Sequence, residues 1–196
     1  MYEYTDNVIK HLNREYIAIF SGLKRSLAEM DEITVLGEVK RVYERLVEIT
    51  IPLLVDVANW AYHNYSNNGS LTEMRLLGFL NGYSPVTKYA FVSEVERKRS
   101  RLYEALVATN HDPKEVDNAL RYWSKMIAEY AVEITDAATL EAFADLNINT
   151  VEWFTAEDER VCPECGKRHG RIYPIANIPP KPHWGCRCYV LPHISR

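Results

Sequence analysis

The chain has 196 residues, 47% of them hydrophobic and 26% charged, with 23 basic against 27 acidic side chains for a formal net charge of -4. That length and apolar fraction suit one or two ordinary domains with a real core and exclude wholesale disorder. A slightly acidic balance excludes whole-chain attraction to nucleic acid or to an anionic membrane, and it names no partner.

The first residues, Met1-Tyr2-Glu3-Tyr4-Thr5-Asp6, mix acids and aromatics where a secretion signal needs a basic start and an apolar run. The longest apolar stretch, Ile51 to Tyr62, is broken by Pro52, Asp56 and Asn59 and falls short of the roughly 20 residues that span a bilayer. The expectation is a soluble protein made in a cytoplasm, with no membrane partner.

Apolar residues recur at helical spacing up to about Ala144. Val8, Ile9, Leu12, Ile17, Phe20, Leu23 and Leu27 predict a first amphipathic helix. A second is predicted from about Thr34 to Tyr65, with Val35, Val39, Val42, Leu46 and Ile49 on one face, a kink or break at Pro52, and an end at Asn67-Asn68-Gly69. Ser70-Leu71-Thr72-Glu73 has the spacing of a capping box and predicts a short third helix before Asn81-Gly82 and Pro85. A fourth is predicted over about Thr87 to Thr109. Asp112-Pro113 then reads as an N-cap followed by proline in the first helical position. The fifth helix carries Val116, Leu120, Trp123, Met126, Ile127, Tyr130 and Ile134, and continues through Leu140 and Phe143 after a possible break near Thr135-Asp136. The helical residues thus predict a mainly α body over 1–147, as a compact bundle or an extended arm.

The character changes near Leu146. Thr150-Val151-Glu152-Trp153-Phe154 is a β-type run, and beyond it lie six of the nine prolines and all four cysteines. From Arg160 to Arg196 the basic residues Arg160, Lys167, Arg168, Arg171, Lys181, Arg187 and Arg196 face a single acid, Glu164. So few apolar residues cannot easily form a core unaided, so residues 148–196 are predicted to be a separate small module held by something other than burial.

Cys162-Pro163-Glu164-Cys165-Gly166 is a Cys-x-x-Cys turn that lets two thiolates face one ion, with Gly166 free to take a positive φ. A second half-site follows about 20 residues later in His183-Trp184-Gly185-Cys186-Arg187-Cys188. Five candidate ligands (Cys162, Cys165, His183, Cys186 and Cys188) compete for four positions around one structural Zn2+, and the spacing alone does not choose among the last three. A site filled by four protein ligands has no open position for water or substrate, and its binding free energy becomes folding free energy for the tail. Disulfides are the competing reading, disfavoured in a reducing compartment.

A cysteine nucleophile served by His169 or His193 is a second alternative, and clustered cysteines at metal spacing argue against it. The chain lacks Gly-x-Ser-x-Gly, His-Glu-x-x-His, a Walker-type loop and Gly-x-Gly-x-x-Gly, so no enzyme is predicted. Arg97, Lys98, Arg99 and Arg101, with Tyr103 nearby, could grip a nucleic acid, against the plainer reading of a solvated helix face with Glu94 and Glu96 as partners. Trp60, Trp123 and the tyrosines read as core or interface, and His11, His63 and His111 as isolated.

From Ile134 onward the chain resembles the C-terminal signature of the phage Mu F-like head morphogenesis family, the minor capsid proteins of tailed phages. The residues that carry the resemblance are Val151-Glu152-Trp153, Asp158-Glu159-Arg160-Val161-Cys162-Pro163-Glu164-Cys165, Gly170-Arg171-Ile172-Tyr173-Pro174, Pro179-Pro180 and the run from His183 to Cys188. Arg168-His169 stands where the family usually has Leu-Asp, and Trp184 where it usually has proline. The resemblance implies a minor head protein that associates with the portal and other head proteins and acts in procapsid assembly, DNA packaging or delivery. It would lie inside the capsid near the portal, and its basic tail could touch packaged DNA. The implied architecture is a multi-helix body with a small C-terminal β-hairpin or ribbon stabilised by zinc. Other classes remain in play: a zinc-ribbon nucleic-acid-binding module, or a toxin-type enzyme domain of the kind some members carry, for which eight residues after Cys188 leave little room.

Overall fold

The structure is a computed structural model that describes residues 3–66, 71, 75, 78, 79, 91–156, 161–183 and 186–193. Four long helices form the body: α1 (Glu3–Ser26), α2 (Glu32–His63), α3 (Phe91–Ala108) and α4 (Pro113–Asp145). The capping box expected at Ser70 to Glu73, the short helix after it and the start of the helix expected from Thr87 lie outside the described residues, apart from isolated positions.

Side-chain pairs set the helix directions. Tyr4 stacks on Trp60 at one end of α1 and α2, and Phe20 meets Tyr43 edge-on at the other, so the two helices run antiparallel. Thr5 and Thr135 share a hydrogen bond of 3.0 Å while Lys24 pairs with Asp117 at 2.5 Å, which makes α1 and α4 antiparallel as well. Trp123 of α4 is fully buried and meets Tyr16 of α1, Tyr43 of α2 and Phe91 of α3 edge-on, with ring centroids 6.0, 5.4 and 6.4 Å away. One indole thus touches all three other helices in the edge-to-face geometry that aromatic quadrupoles favour. The body is a packed bundle rather than an extended arm.

Several sequence expectations need correction. Ile17 is 53% exposed, and the buried stripe of α1 passes through Tyr16 instead, which lies four residues from both Leu12 and Phe20. Tyr16 is satisfied there by a 2.7 Å hydrogen bond with the Thr50 hydroxyl, and burial pushes its pKa up to about 12. The helix does not break at Pro52, because α2 runs unbroken from Glu32 to His63 with the proline on its exposed side. Nor does α4 break at Thr135-Asp136. Thr135 donates to the Ala131 carbonyl at 2.7 Å, and Asp136 finds a lysine from the C-terminal segment. The expected cap of α4 is present: the Asp112 side chain accepts from the Lys114 N–H at 2.9 Å, with Pro113 next.

At its C-terminus α4 turns sharply into the sheet. Asn147 takes a left-handed φ of 58°, its N–H donates to Ala144 and the Ile148 N–H donates to Phe143, both at 2.9 Å. These two bonds make a Schellman stop with asparagine in the place usually held by glycine. The chain then enters β1 (Thr150–Phe154), passes a single-turn helix α5 (Pro163–Gly166), and adds β2 (Ile172–Pro174) and β3 (Tyr189–Pro192). The order is β2-β1-β3 with both pairings antiparallel, so the expected hairpin or ribbon is a three-stranded sheet with β1 in its centre. Its strands are only three to five residues long, too short for alternation to reveal their number from the sequence.

Val151 and Trp153, which alternate on one face of β1, are buried together with Ile178, Val190 and three of the cysteines in one hydrophobic cluster that also contains the helical core. Burial against the helices therefore contributes to holding the C-terminal segment, where the sequence suggested it could not.

Candidate metal centre

The Cys162–Cys165 turn is built as a helix start. Cys162 sits at the N-cap of α5 with extended backbone angles, Pro163 occupies the first helical position, and the Cys165 N–H points at the Cys162 sulfur at 3.3 Å. A thiol thus takes the capping role usually filled by a serine or aspartate oxygen. Gly166 is helical, and the positive φ belongs to Gly170, at 72°. There the Gly170 N–H donates to the Trp153 carbonyl at 2.8 Å, tying the end of the turn to β1.

The second half-site comes back onto the first. The Sγ of Cys165 lies 3.3 Å from the Nε2 of His183 and 3.6 Å from the Sγ of Cys186. Two triads result, Cys162–Cys165–His183 and Cys165–Cys186–Cys188, each with its ligand atoms within 4.8 Å of one another. Bonds of about 2.3 Å to a tetrahedral ion put neighbouring sulfurs about 3.8 Å apart. The 3.6 Å between Cys165 and Cys186 matches such an edge, whereas a disulfide needs about 2.05 Å, and none of the four cysteines is in a disulfide. All five residues singled out from the sequence come together, with Cys165 common to both triads.

The electrostatics suit a cation. The backbone N–H of Cys165 holds the Cys162 thiol below its ordinary pKa, while burial pushes the Cys165 and Cys186 thiols up. Buried sulfurs gathered this closely are stable as thiolates only beside positive charge, which a soft divalent ion supplies. A sulfur-rich set with one imidazole is the donor chemistry of zinc.

Three supporting residues were not singled out as supports by the sequence. Lys181, in the loop between the half-sites, reaches Asp136 of α4 at 2.7 Å, with side chains only 12% and 9% exposed. The same ammonium lies 3.5 Å from the Cys186 carbonyl. Arg168 donates to the Pro180 carbonyl at 2.7 Å and stacks over Trp153 at 5.1 Å, clamping the first turn to the connecting loop. Apart from the Cys186 carbonyl, five residues from Lys181, their partners lie 12 to 45 residues away in the chain, a separation at which local spacing carries no signal.

His169 and His193 are engaged elsewhere: the first lies 3.1 Å from the Thr155 hydroxyl and meets Phe154 edge-on, and the second faces Glu152 at 3.8 Å. Lys181 pairs with Asp136, Lys167 pairs with Glu164 at 2.6 Å and Arg168 clamps the loop, while Arg171 and Arg187 remain exposed. Arg160, Arg196, Trp184 and Gly185 lie outside the described residues. On α3, Arg97 pairs with Glu94 and Arg99 with Glu96, as a solvated helix face would have it. Among the described residues, no helix is long and apolar enough to cross a membrane.

Residues 103–191 match the family described as Phage Mu protein F like protein, which shows the resemblance over just under half of the chain. The match begins within α3 and takes in all of α4, so the similarity reaches well into the helices, beyond the segment whose motifs were legible. No curated protein and no solved structure matches the chain.

Proposed function

We propose that this is a non-enzymatic minor head protein of a tailed phage, which binds the portal and acts in procapsid assembly, DNA packaging or delivery from inside the capsid. The observation that carries the reading is the family match over residues 103–191, which contains both half-sites of the Cys/His cluster. A head morphogenesis protein needs stable surfaces for other head proteins rather than a reaction centre. One structural zinc serves that need: four of Cys162, Cys165, His183, Cys186 and Cys188 would hold it, with Cys165 in every set. When bound, the ion supplies a cross-link between the α5 turn and the loop that precedes β3.

The test is to express the protein beside the portal protein encoded next to it, isolate the complex by size exclusion and assay zinc per chain. Co-elution with portal at near-stoichiometric zinc is the expected result. Zinc-loaded protein that never co-elutes with portal removes the portal role, and metal-free folded protein removes the structural zinc.

A further inference from the structure

The α3–α4 face carries a feature that neither the metal centre nor the family resemblance uses. Between these helices lies a cleft of about 400 Å3 whose lining includes Arg97, Lys98, Arg101, Asn118 and Tyr122. A neighbouring cavity of about 140 Å3 shares Arg97, Lys98 and Tyr122 and adds Lys125. The Tyr122 ring is 50% exposed, with the Lys98 ammonium and the Arg121 guanidinium each 5.1 Å from its centroid. Such contacts hold cations at fixed positions through the negative face of the ring. The sequence suggested Tyr103 as the aromatic partner of this cluster, but Tyr103 packs against the core, and Tyr122 comes from the facing helix instead.

The charge here runs against that of the chain. Arg97, Lys98, Arg101, Arg121 and Lys125 gather around the two cavities and Tyr122, whereas among the described residues the acids lining those cavities are Glu94 and Glu115, in a protein of net charge -4. Glu94 is engaged by Arg97. Burial pushes the Lys98 pKa down, with Arg97, Arg101 and Lys125 adding to the effect against Glu94, so the face is crowded with positive charge. Guanidinium forks and an ammonium on two rigid helices suit phosphate oxygens. The half-exposed tyrosine offers a base an aromatic surface that an acidic peptide has no use for.

We propose that the α3–α4 face binds the phosphate backbone of nucleic acid, with Lys98, Arg101 and Arg121 as the phosphate-contacting groups and Tyr122 as the ring that fixes two of them. This places the nucleic-acid surface on the helical body rather than on the basic tail. It does not depend on the head-assembly reading, since the residues lie outside the Cys/His cluster and a failure to bind portal leaves it intact.

The experiment is fluorescence anisotropy with the full-length, zinc-loaded protein and labelled single-stranded DNA of about 20 nucleotides, over about 50 to 200 mM salt. Replacing Lys98, Arg101 and Arg121 together by alanine should weaken binding at least about tenfold and flatten the slope of log affinity against log salt by about 2, near 0.7 per lost phosphate contact on a single strand. Arg101 and Arg121 are exposed and Lys98 is half-buried, and an unchanged circular dichroism melt confirms that the variant is folded. Tyr122→Ala should weaken binding, Tyr122→Phe should restore it, and Arg171→Ala with Arg187→Ala should leave it unchanged. The proposal is overturned if the parent does not bind DNA at the lowest salt, if the folded triple variant binds like the parent, if the loss maps to the tail pair, or if polyglutamate of equal charge competes as well as DNA.

Discussion

The ion pair between Lys181 and Asp136 joins the loop that carries His183 to α4, and its worth can be bounded. At an effective dielectric near 20, opposite charges at this 2.7 Å separation attract by about 6 kcal/mol. Each ion also loses several kcal/mol of hydration on burial, so the intact pair contributes little net stability. Removing one partner is a different matter, because the other charge stays buried without its counter-charge. Lys181→Met should therefore cost about 3 to 5 kcal/mol, and Asp136→Leu a similar amount, whereas the double variant should fall within about 1 kcal/mol of the parent. Urea unfolding of the zinc-loaded protein, followed by far-ultraviolet circular dichroism, gives all four corners of the cycle. Both single variants should also lose zinc to a chelator faster than the parent, since Lys181 is in the loop that carries His183, and the double variant should recover retention. The reasoning fails if Lys181→Met costs less than about 1 kcal/mol, or if the cost of the double variant equals the sum of the singles.

Cys165→Ser should abolish stoichiometric zinc binding, because Cys165 is the one residue common to both triads; elemental analysis that finds one zinc per Cys165→Ser chain would falsify the shared-ligand geometry. Among His183, Cys186 and Cys188, one single substitution should keep its zinc, since these three compete for the two positions left by Cys162 and Cys165. Tyr16 links stability to alkaline pH. Its folded pKa of about 12 lies above the ordinary 10, so its contribution is complete below pH 10 and is lost as pH rises toward 12. In that window the stability of the parent should fall about 1.4 kcal/mol per pH unit more steeply than that of Tyr16→Phe, and parallel profiles would show that the phenol is not held neutral by the fold. The phenylalanine variant should also lose about 1 kcal/mol at neutral pH with the Thr50 hydrogen bond.

What the sequence made legible followed from local physics. Helical periodicity located the four long helices, the Asp112-Pro113 cap started α4, and cysteine spacing brought five ligands to one place. The misses share a cause, which is that the deciding contact comes from far along the chain. Tyr16 displaces Ile17 from the core because Thr50 satisfies its hydroxyl, and no local pattern reveals that partner. Thr135-Asp136 read as a helix break because two polar residues interrupt an apolar run. In the structure Thr5 and Lys181 answer them from opposite ends of the chain. Proline costs a helix interior about 3 kcal/mol, yet α2 continues past Pro52 with Thr50, Leu54 and Val57 all buried, so tertiary packing outweighs the local preference.

The family match begins within α3 rather than at the first cysteine, so it includes the residues of α4 that make these long-range contacts. A metal-held turn with three short strands buries too little by itself to fix its own orientation. Here α4 supplies the missing constraints: the Schellman stop at Asn147 aims β1, Leu140 lines a small cavity with Trp153 and Cys188, and Asp136 anchors the loop through Lys181. The unit able to keep its shape while the rest of the sequence varies is therefore α4 together with the sheet and the Cys/His cluster, not the cluster alone. Substitutions that loosen α4 near Asp136 should therefore speed the loss of metal to a chelator, even though Asp136 is not among the five candidate ligands.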